Sequence, residues 1–142
     1  MGRKASLAMI EAPIFLPLES GILLGYRASM VTTTLEVTLA NEWQRSARRL
    51  RIKFNGVWVA DSTRVMLLRQ HGFQPIYYFP AEDVRLELLE PSDYTTHSNY
   101  KGTASYSHLS TGDRCASNSV WTYLSPRMGS PDTRGYYGFD WH

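Results

Sequence analysis

The densest group of reactive side chains lies in one ten-residue segment, residues 93–102. Within it, His97 and Lys101 are four residues apart, and Tyr100 and Tyr106 flank the lysine. An imidazole gains and loses a proton near neutral pH, so His97 is a candidate general acid or base. Burial beside aromatic rings would lower the pKa of Lys101 and make it a base, an amine nucleophile or an anion anchor. We therefore predict that the catalytic residues are Lys101, His97 and Tyr106, with the tyrosine as a hydrogen-bond donor.

Tyrosine is concentrated in the second half of the chain, where eight of the nine tyrosines follow residue 70. A buried phenol oxygen needs a hydrogen-bond partner, whereas phenylalanine needs none. This many tyrosines therefore indicates a wet or ligand-filled cavity. An ordinary aromatic core is the alternative, and it stays open for each ring taken alone. The predicted substrate-binding residues are Tyr78, Thr96, Tyr100, Trp121, Tyr123 and Tyr136.

Alternating apolar and polar residues predict the strands that must position these side chains. Residues 31–39 alternate in this way, and residues 50–54 and 57–60 flank Asn55-Gly56. Asn-Gly supplies the positive φ angles of a two-residue hairpin turn, so a hairpin is predicted there. Further strands are expected at 65–68, 76–79, 95–97, 101–109, 115–123 and 136–141.

Two segments between these strands have other patterns. Residues 41–47 indicate a polar connection with the option of a helical turn. Pro80 followed by acidic residues at 82 and 83 is typical of a helix start, because proline lacks an amide hydrogen and acids favour the positive end of the helix dipole. A short helix that ends before Pro91 is therefore predicted. The whole pattern indicates a mainly β fold, a compact antiparallel β-sandwich or open barrel with one short helix.

The composition limits the classes of partner. The 142 residues include 15 Lys+Arg against 13 Asp+Glu, a net charge too small for a dedicated polyanion binder. Arg49, Arg51 and Lys53 fall on the polar face of a predicted strand, which favours a solvated surface over a nucleic-acid interface. No apolar stretch is long enough to span a membrane. A single cysteine excludes a disulfide framework and fits a cytoplasmic protein.

Metal and nucleophile chemistry have weak sequence support. Asp93, His97, His108 and Cys115 lack the local spacing of metal ligands, so we expect no metal and no cofactor. A Ser-His-Asp arrangement of Ser105, His97 and Asp93 lacks the G-x-S-x-G turn and stays only a residual alternative.

An ordered set of short motifs covers residues 50–141. The motifs are Asn55-Gly56-Val57, Ala60-Asp61-Ser62, Tyr77-Tyr78-Phe79-Pro80, Glu82-Asp83-Val84, Leu88-Leu89-Glu90, Thr96-His97, Tyr100-Lys101-Gly102, Ala104-Ser105-Tyr106, Asn118, Trp121, Tyr123 and Gly135-Tyr136. This set closely resembles the domain of unknown function 427 family. The resemblance implies a small, compact, mainly β domain at residues 50–142, preceded by an N-terminal extension at residues 1–49. It implies no established reaction.

Two features of the sequence depart from chemistry associated with that family. Its members commonly have a Cys-Pro pair after the histidine, where this chain has Ser98-Asn99, so a thiol or thiolate there is lost. The family is sometimes labelled nucleotidyltransferase-like, a chemistry that needs a Gly-Ser turn followed by spaced carboxylates holding two metals. Only Asp132 and Asp140 follow Gly129-Ser130, which argues against nucleotidyl transfer.

These observations favour a small-molecule enzyme with a cofactor-free acid-base site in a tyrosine-lined pocket. Isomerase, cyclase, lyase or hydrolase chemistry would suit such a site. The alternative is a non-catalytic small-molecule-binding or accessory domain that uses the same pocket. The expected partner is a small-molecule ligand, with no nucleic acid and no membrane span, and a homodimer stays open.

Overall fold

The computed structural model describes residues 8–12 and 41–140, which form ten strands in two antiparallel sheets. The small sheet has the order β1-β3-β4, with β1 at Ala8–Ala12, β3 at Arg49–Phe54 and β4 at Val57–Ser62. The large sheet has the order β2-β5-β6-β10-β9-β8-β7. Its strands are β2 (Glu42–Arg45), β5 (Met66–Arg69), β6 (Ile76–Pro80), β7 (Leu89–Ser98), β8 (Gly102–Thr111), β9 (Arg114–Thr122) and β10 (Tyr136–Phe139). The predicted mainly β class is confirmed, whereas the strand predicted at 31–39 lies outside the described residues.

The predicted hairpin is confirmed between β3 and β4. Asn55 has a φ of 48° and Gly56 a φ of 75°, the left-handed conformations that a two-residue turn requires. The Asn55 side chain also donates to the Thr111 carbonyl oxygen at 3.0 Å and to an Asp113 carboxylate oxygen at 3.1 Å. This turn is therefore tied to the turn between β8 and β9.

The two sheets pack face to face around one apolar core. In β3 the apolar positions predicted to face inward, Leu50, Ile52 and Phe54, are at most 1 % exposed. The large sheet contributes Phe79 and Phe139, whose ring centroids lie 5.6 Å apart at an interplanar angle of 84°. Burial of apolar area on one face of each sheet is the main driving force for such a sandwich.

The basic side chains of β3 lie on the outer face of the small sheet, where they contact side chains of β4. Arg49 donates two hydrogen bonds to the Asp61 carboxylate, at 2.7 and 2.6 Å. These bonds hold the pKa of Asp61 below its usual range. The Arg51 guanidinium carbon lies 3.6 Å from the centroid of the Trp58 ring, and the Lys53 ammonium lies 5.0 Å from it. The cationic groups on this face therefore have anionic or aromatic neighbours.

Two sequence-based expectations about secondary structure are wrong. The polar connection predicted at 41–47 contains strand β2, which pairs with β5 through Trp43 and Leu68 among others. The single short helix predicted after Pro80 is instead two 3-10 turns, Ala81–Asp83 and Leu86–Leu88. Between them Val84 is buried and bridges Ala60, because its apolar side chain is drawn into the core and interrupts the helix.

Pro91, predicted to follow a helix end, lies inside β7. This strand is at the edge of the large sheet, where a missing amide hydrogen is tolerated, and the register shifts between Pro91 and Thr95. Across the described part of the chain, no helix is long and apolar enough to cross a membrane.

Candidate functional site

A continuous row of side chains crosses the face of the large sheet that points away from the small sheet. The register places Met66 opposite Tyr78, Tyr78 opposite Gly138, Gly138 opposite Trp121, and Trp121 opposite Tyr106. These residues belong to β5, β6, β10, β9 and β8, which are consecutive neighbours in the sheet. Side chains directly opposite one another share a face, so this register builds one surface, here called the aromatic face.

The middle of the aromatic face is a buried cluster around Tyr78. Tyr78 is fully buried and Tyr123 is 4 % exposed. The Trp121 indole Nε1 donates to the Tyr78 hydroxyl oxygen at 3.4 Å, and Tyr123 is also hydrogen-bonded to Tyr78. Burial raises the pKa of both phenols because it penalises the phenolate. These hydroxyls therefore remain protonated and bonded to one another.

Trp121 lies against the backbone of Gly138. An added Cβ at Gly138 would be 2.5 Å from the indole Cε2 and 2.7 Å from Nε1. Real carbon atoms do not approach so closely, so glycine is the residue that lets the indole lie flat across β10. The position of the Trp121 ring, and with it the hydrogen bond to Tyr78, depends on this glycine.

A second tryptophan, Trp43 of β2, covers the other side of Tyr78. Its ring centroid lies 5.5 Å from that of Tyr78 and 5.7 Å from that of Tyr136. Sequence reasoning missed Trp43 because it assigned the surrounding residues to a connection. The alternation of Trp43 with polar neighbours in a four-residue strand is too short a signal to separate from a loop.

Toward β7 the aromatic face opens to solvent. The rings of Tyr106 and Trp121 are 5.9 Å apart, and Tyr94 packs edge-on against Tyr106 at 4.9 Å. Tyr94 is 50 % exposed, and it was not among the predicted binding residues. The Tyr106 hydroxyl and the Thr96 hydroxyl lie 3.1 Å apart. The exposed end of the face thus combines three ring surfaces with two hydroxyl groups.

Lys101 lies beside this face, in the turn that joins β7 to β8. The backbone amides of Tyr100 and Lys101 donate to the Ser98 hydroxyl at 3.2 and 3.1 Å, which fixes the turn. The Lys101 ammonium lies 5.6 Å from the Tyr123 ring centroid. Burial lowers the pKa of Lys101, the direction that the sequence predicts. Tyr100, a predicted binding residue, lies in this turn and is half-buried.

His97 lies on the opposite face of the same hairpin. Consecutive residues of a strand point to opposite faces, and Thr96 contacts Tyr106 on the aromatic face. His97 is exposed, and its Nδ1 lies 3.2 Å from the hydroxyl of Thr103, its cross-strand partner. The structure therefore brings Tyr106 and Lys101 to the aromatic side but separates both from His97.

His97 borders a cavity of about 560 Å³, here called the polar cavity. Its wall is formed by the hairpin and by the loop that follows β9. The lining residues are His97, Gly102, Thr103, Ser105, Leu124, Ser125 and Arg127. Ser105 and His97, paired in the sequence-based hydrolase alternative, thus share this cavity, while Asp93 is not among its lining residues.

The sequence matches a known protein family over most of its length. A family model described as a domain of unknown function (DUF427) matches residues 42–142. The chain belongs to the DUF427 family. A search of curated proteins finds no match.

In this DUF427 domain, the family motifs supply both sides of the β7–β8 hairpin. Thr96 and Tyr106 contribute to the aromatic face, and His97 and Ser105 contribute to the polar cavity. Among the described residues there is no group of three His, Cys, Asp or Glu side chains placed to hold a metal ion. Arg127, which lines the polar cavity, was missed because its loop has no periodic pattern.

Proposed function

We propose that the aromatic face binds a small organic molecule at its open end, beside Lys101. The observation that carries this proposal is the continuous ring series that runs from the fully buried Tyr78 through Trp121 and Tyr106 to the half-exposed Tyr94. An aromatic cluster whose rings were all buried would offer no surface to a ligand. A cluster that continues to solvent offers stacking surfaces to a ligand.

The groups around the open end favour a planar ligand with a hydrogen-bond acceptor. Tyr94 is half exposed, so part of its ring surface is available for offset stacking with a planar ring. The Thr96 and Tyr106 hydroxyls and the Lys101 amine can donate to an acceptor on such a ring. Specificity would come from these few polar groups, and affinity from the buried ring area.

A second candidate function is catalysis by Lys101 in the same site. Burial lowers the pKa of Lys101, so more of the neutral amine is present near neutrality than for an exposed lysine. A neutral amine can abstract a proton or attack a carbonyl carbon, steps used in isomerase, lyase and cyclase chemistry. In this proposal Tyr106 donates to the substrate and His97 takes no part, because it lies on the opposite face.

The binding proposal is tested by titrating the protein with a panel of planar heteroaromatic compounds and following the amide resonances of Tyr106 and Trp121. Trp121→Leu should weaken the binding of any hit about two- to twelvefold, because it removes a stacking surface worth about 0.5–1.5 kcal/mol. Trp58→Leu is the matched control, since Trp58 lies on the small sheet away from this face. Equal weakening by both variants, or hits that shift neither resonance, would refute the proposal.

The catalytic candidate has its own test. Any compound that binds is incubated with the wild type, with Lys101→Ala and with the control Lys53→Ala, and its conversion is followed by mass spectrometry. Turnover that disappears only in Lys101→Ala supports catalysis. Binding without turnover in the wild type would refute the catalytic candidate and would agree with the binding proposal alone.

A further inference from the structure

We propose that the polar cavity is a second, separate binding site, selective for a small non-aromatic molecule that carries an oxyanion group, a phosphate monoester or a carboxylate. The cavity is an open surface groove of about 560 Å³, large enough for a small molecule, and its side chains His97, Thr103 and Arg127 are exposed to solvent. It lies on the opposite side of the β7–β8 hairpin from the aromatic face. It shares none of the ring surfaces on which the proposed function depends.

The charge of the lining selects an anion. Arg127 contributes a permanent positive charge, and no aspartate or glutamate is found among the residues that line the cavity in the described part of the chain. The salt bridges seen elsewhere in those described residues do not include Arg127. An oxyanion in the cavity would therefore meet a guanidinium without competing with a carboxylate already in place.

The Arg127 guanidinium is oriented by the backbone around it. Its Nη1 donates to the Asn99 carbonyl oxygen, and its backbone amide donates to the Lys101 carbonyl oxygen at 3.0 Å. A guanidinium has five N–H donors, so the bond to Asn99 holds the group while leaving other donors for a ligand. Restricting a flexible side chain before binding lowers the entropy lost when the ligand arrives.

Two further donors line the same wall. Thr103 and Ser105 are two residues apart in β8, so both hydroxyls point to the cavity side. When the Thr103 hydroxyl donates its one proton to His97 Nδ1, the imidazole carries its proton on Nε2, so Ser105 and His97 rather than Thr103 are the donors left for a ligand. Hydroxyl, imidazole and guanidinium donors match the several acceptor lone pairs of one oxyanion group.

Gly102 determines the shape of the wall. It has a φ of 100°, and an added Cβ would be 3.3 Å from both the Arg127 amide nitrogen and the Ser125 carbonyl oxygen. Glycine therefore lets the loop after β9 lie directly against the hairpin. On the same loop Leu124 is 72 % exposed and lines the cavity, which offers an apolar surface to the carbon skeleton of a ligand. An organic anion fits this combination better than a bare ion.

The test is a two-dimensional NMR titration of the full chain at constant ionic strength with glycerol 3-phosphate, glycerate and neutral glycerol. At least one of the two anions should give saturable shifts of the Gly102, Thr103 and Arg127 amides, whereas glycerol should give none. Saturation by the phosphate ester alone or by glycerate alone identifies which oxyanion is preferred. No saturable shift with either anion, or equal shifts with glycerol, would overturn the proposal.

Variants decide whether the cavity itself binds. Arg127→Gln should weaken binding about tenfold or more, since it removes a charge-assisted hydrogen bond. Arg134→Gln changes the net charge equally outside the cavity and should leave affinity within about twofold. Ser105→Ala removes one hydroxyl donor without altering charge and should weaken binding about two- to tenfold, so the result does not depend on one variant's folding. Equal effects of Arg127→Gln and Arg134→Gln would refute a specific site. The amide shift of Tyr78 should stay unchanged in these titrations, which distinguishes binding in the polar cavity from binding at the aromatic face.

Discussion

Replacing Gly138 with alanine tests whether the Trp121 indole is held in place by the absence of a side chain at that position. The new Cβ would lie 2.5 Å from the indole Cε2, 2.6 Å from Cζ2 and 2.7 Å from Nε1. The indole must move, because backbone paired on both sides in the middle of a sheet cannot. Its movement would break the bond from Nε1 to the Tyr78 hydroxyl and disturb the contact with Tyr106.

The expected loss of stability follows from three contributions. Inserting a carbon into a packed cluster costs roughly 1–3 kcal/mol. Losing the hydrogen bond from Trp121 to Tyr78 costs a further ~1 kcal/mol. Replacing glycine at a strand position stabilises by roughly 0.4–1 kcal/mol, since the unfolded chain loses freedom. Together these predict that Gly138→Ala lowers the free energy of unfolding by about 2 kcal/mol.

The assay is urea unfolding followed by far-UV circular dichroism, with the same change also made in a Trp121→Val background. Valine suits a strand and is too short to reach across Gly138. In that background Gly138→Ala should be neutral or stabilising, because the atoms it would meet are gone. A loss of about 2 kcal/mol in both backgrounds would show that the indole is not the cause. No loss on introducing Gly138→Ala alone would refute the close contact between the indole and Gly138.

Two other predictions concern polar side chains of the small sheet and its hairpin turn. Asn55→Ala should lower the free energy of unfolding by about 1–2 kcal/mol in thermal or urea unfolding, because it removes two hydrogen bonds and leaves a non-glycine residue at positive φ. Asp113→Ala removes only one of those bonds, so an equal loss would mean that the bond to Thr111 contributes nothing. Arg49 lowers the pKa of Asp61, so this pair stabilises the fold above the unfolded-state pKa of roughly 3.9 and the contribution is lost as pH falls through the lower folded-state value. Urea midpoints between pH 6 and 2 should therefore fall more steeply for the wild type than for Asp61→Asn, and parallel curves would contradict the assignment.

The strands that the sequence predicts correctly are those with a strong local signal. The hairpin around Asn55-Gly56 has both strict alternation and a turn type that only a few residues adopt. The failures come where a long-range contact decides. Val84 leaves a helical pattern because Ala60, more than twenty positions away, pairs with it, and Trp43 becomes part of a strand because β5 is its neighbour. No local pattern carries these pairings.

The sequence does not predict that the candidate site residues divide between two faces, and the reason is the pleat of one hairpin. The sequence predicts one site at residues 93–102 because their reactive side chains are close in sequence. In a strand, however, the side chains of adjacent residues point to opposite faces of the sheet, so they cannot share one site. Thr96 and Tyr106 therefore meet on the aromatic face, while His97 and Ser105, each adjacent to one of them, line the polar cavity.

The same pleat changes which chemistry the chain can support. An acid-base pair of Lys101 and His97 requires both groups to reach one substrate atom, and the sheet lies between them. Each group instead has a different set of neighbours, rings for Lys101 and hydroxyls with a guanidinium for His97. A ligand that contacts Lys101 should therefore be insensitive to His97→Gln, and a ligand of the polar cavity should be insensitive to Trp121→Leu. One compound whose binding is lost in both variants would show that the two faces act as a single site.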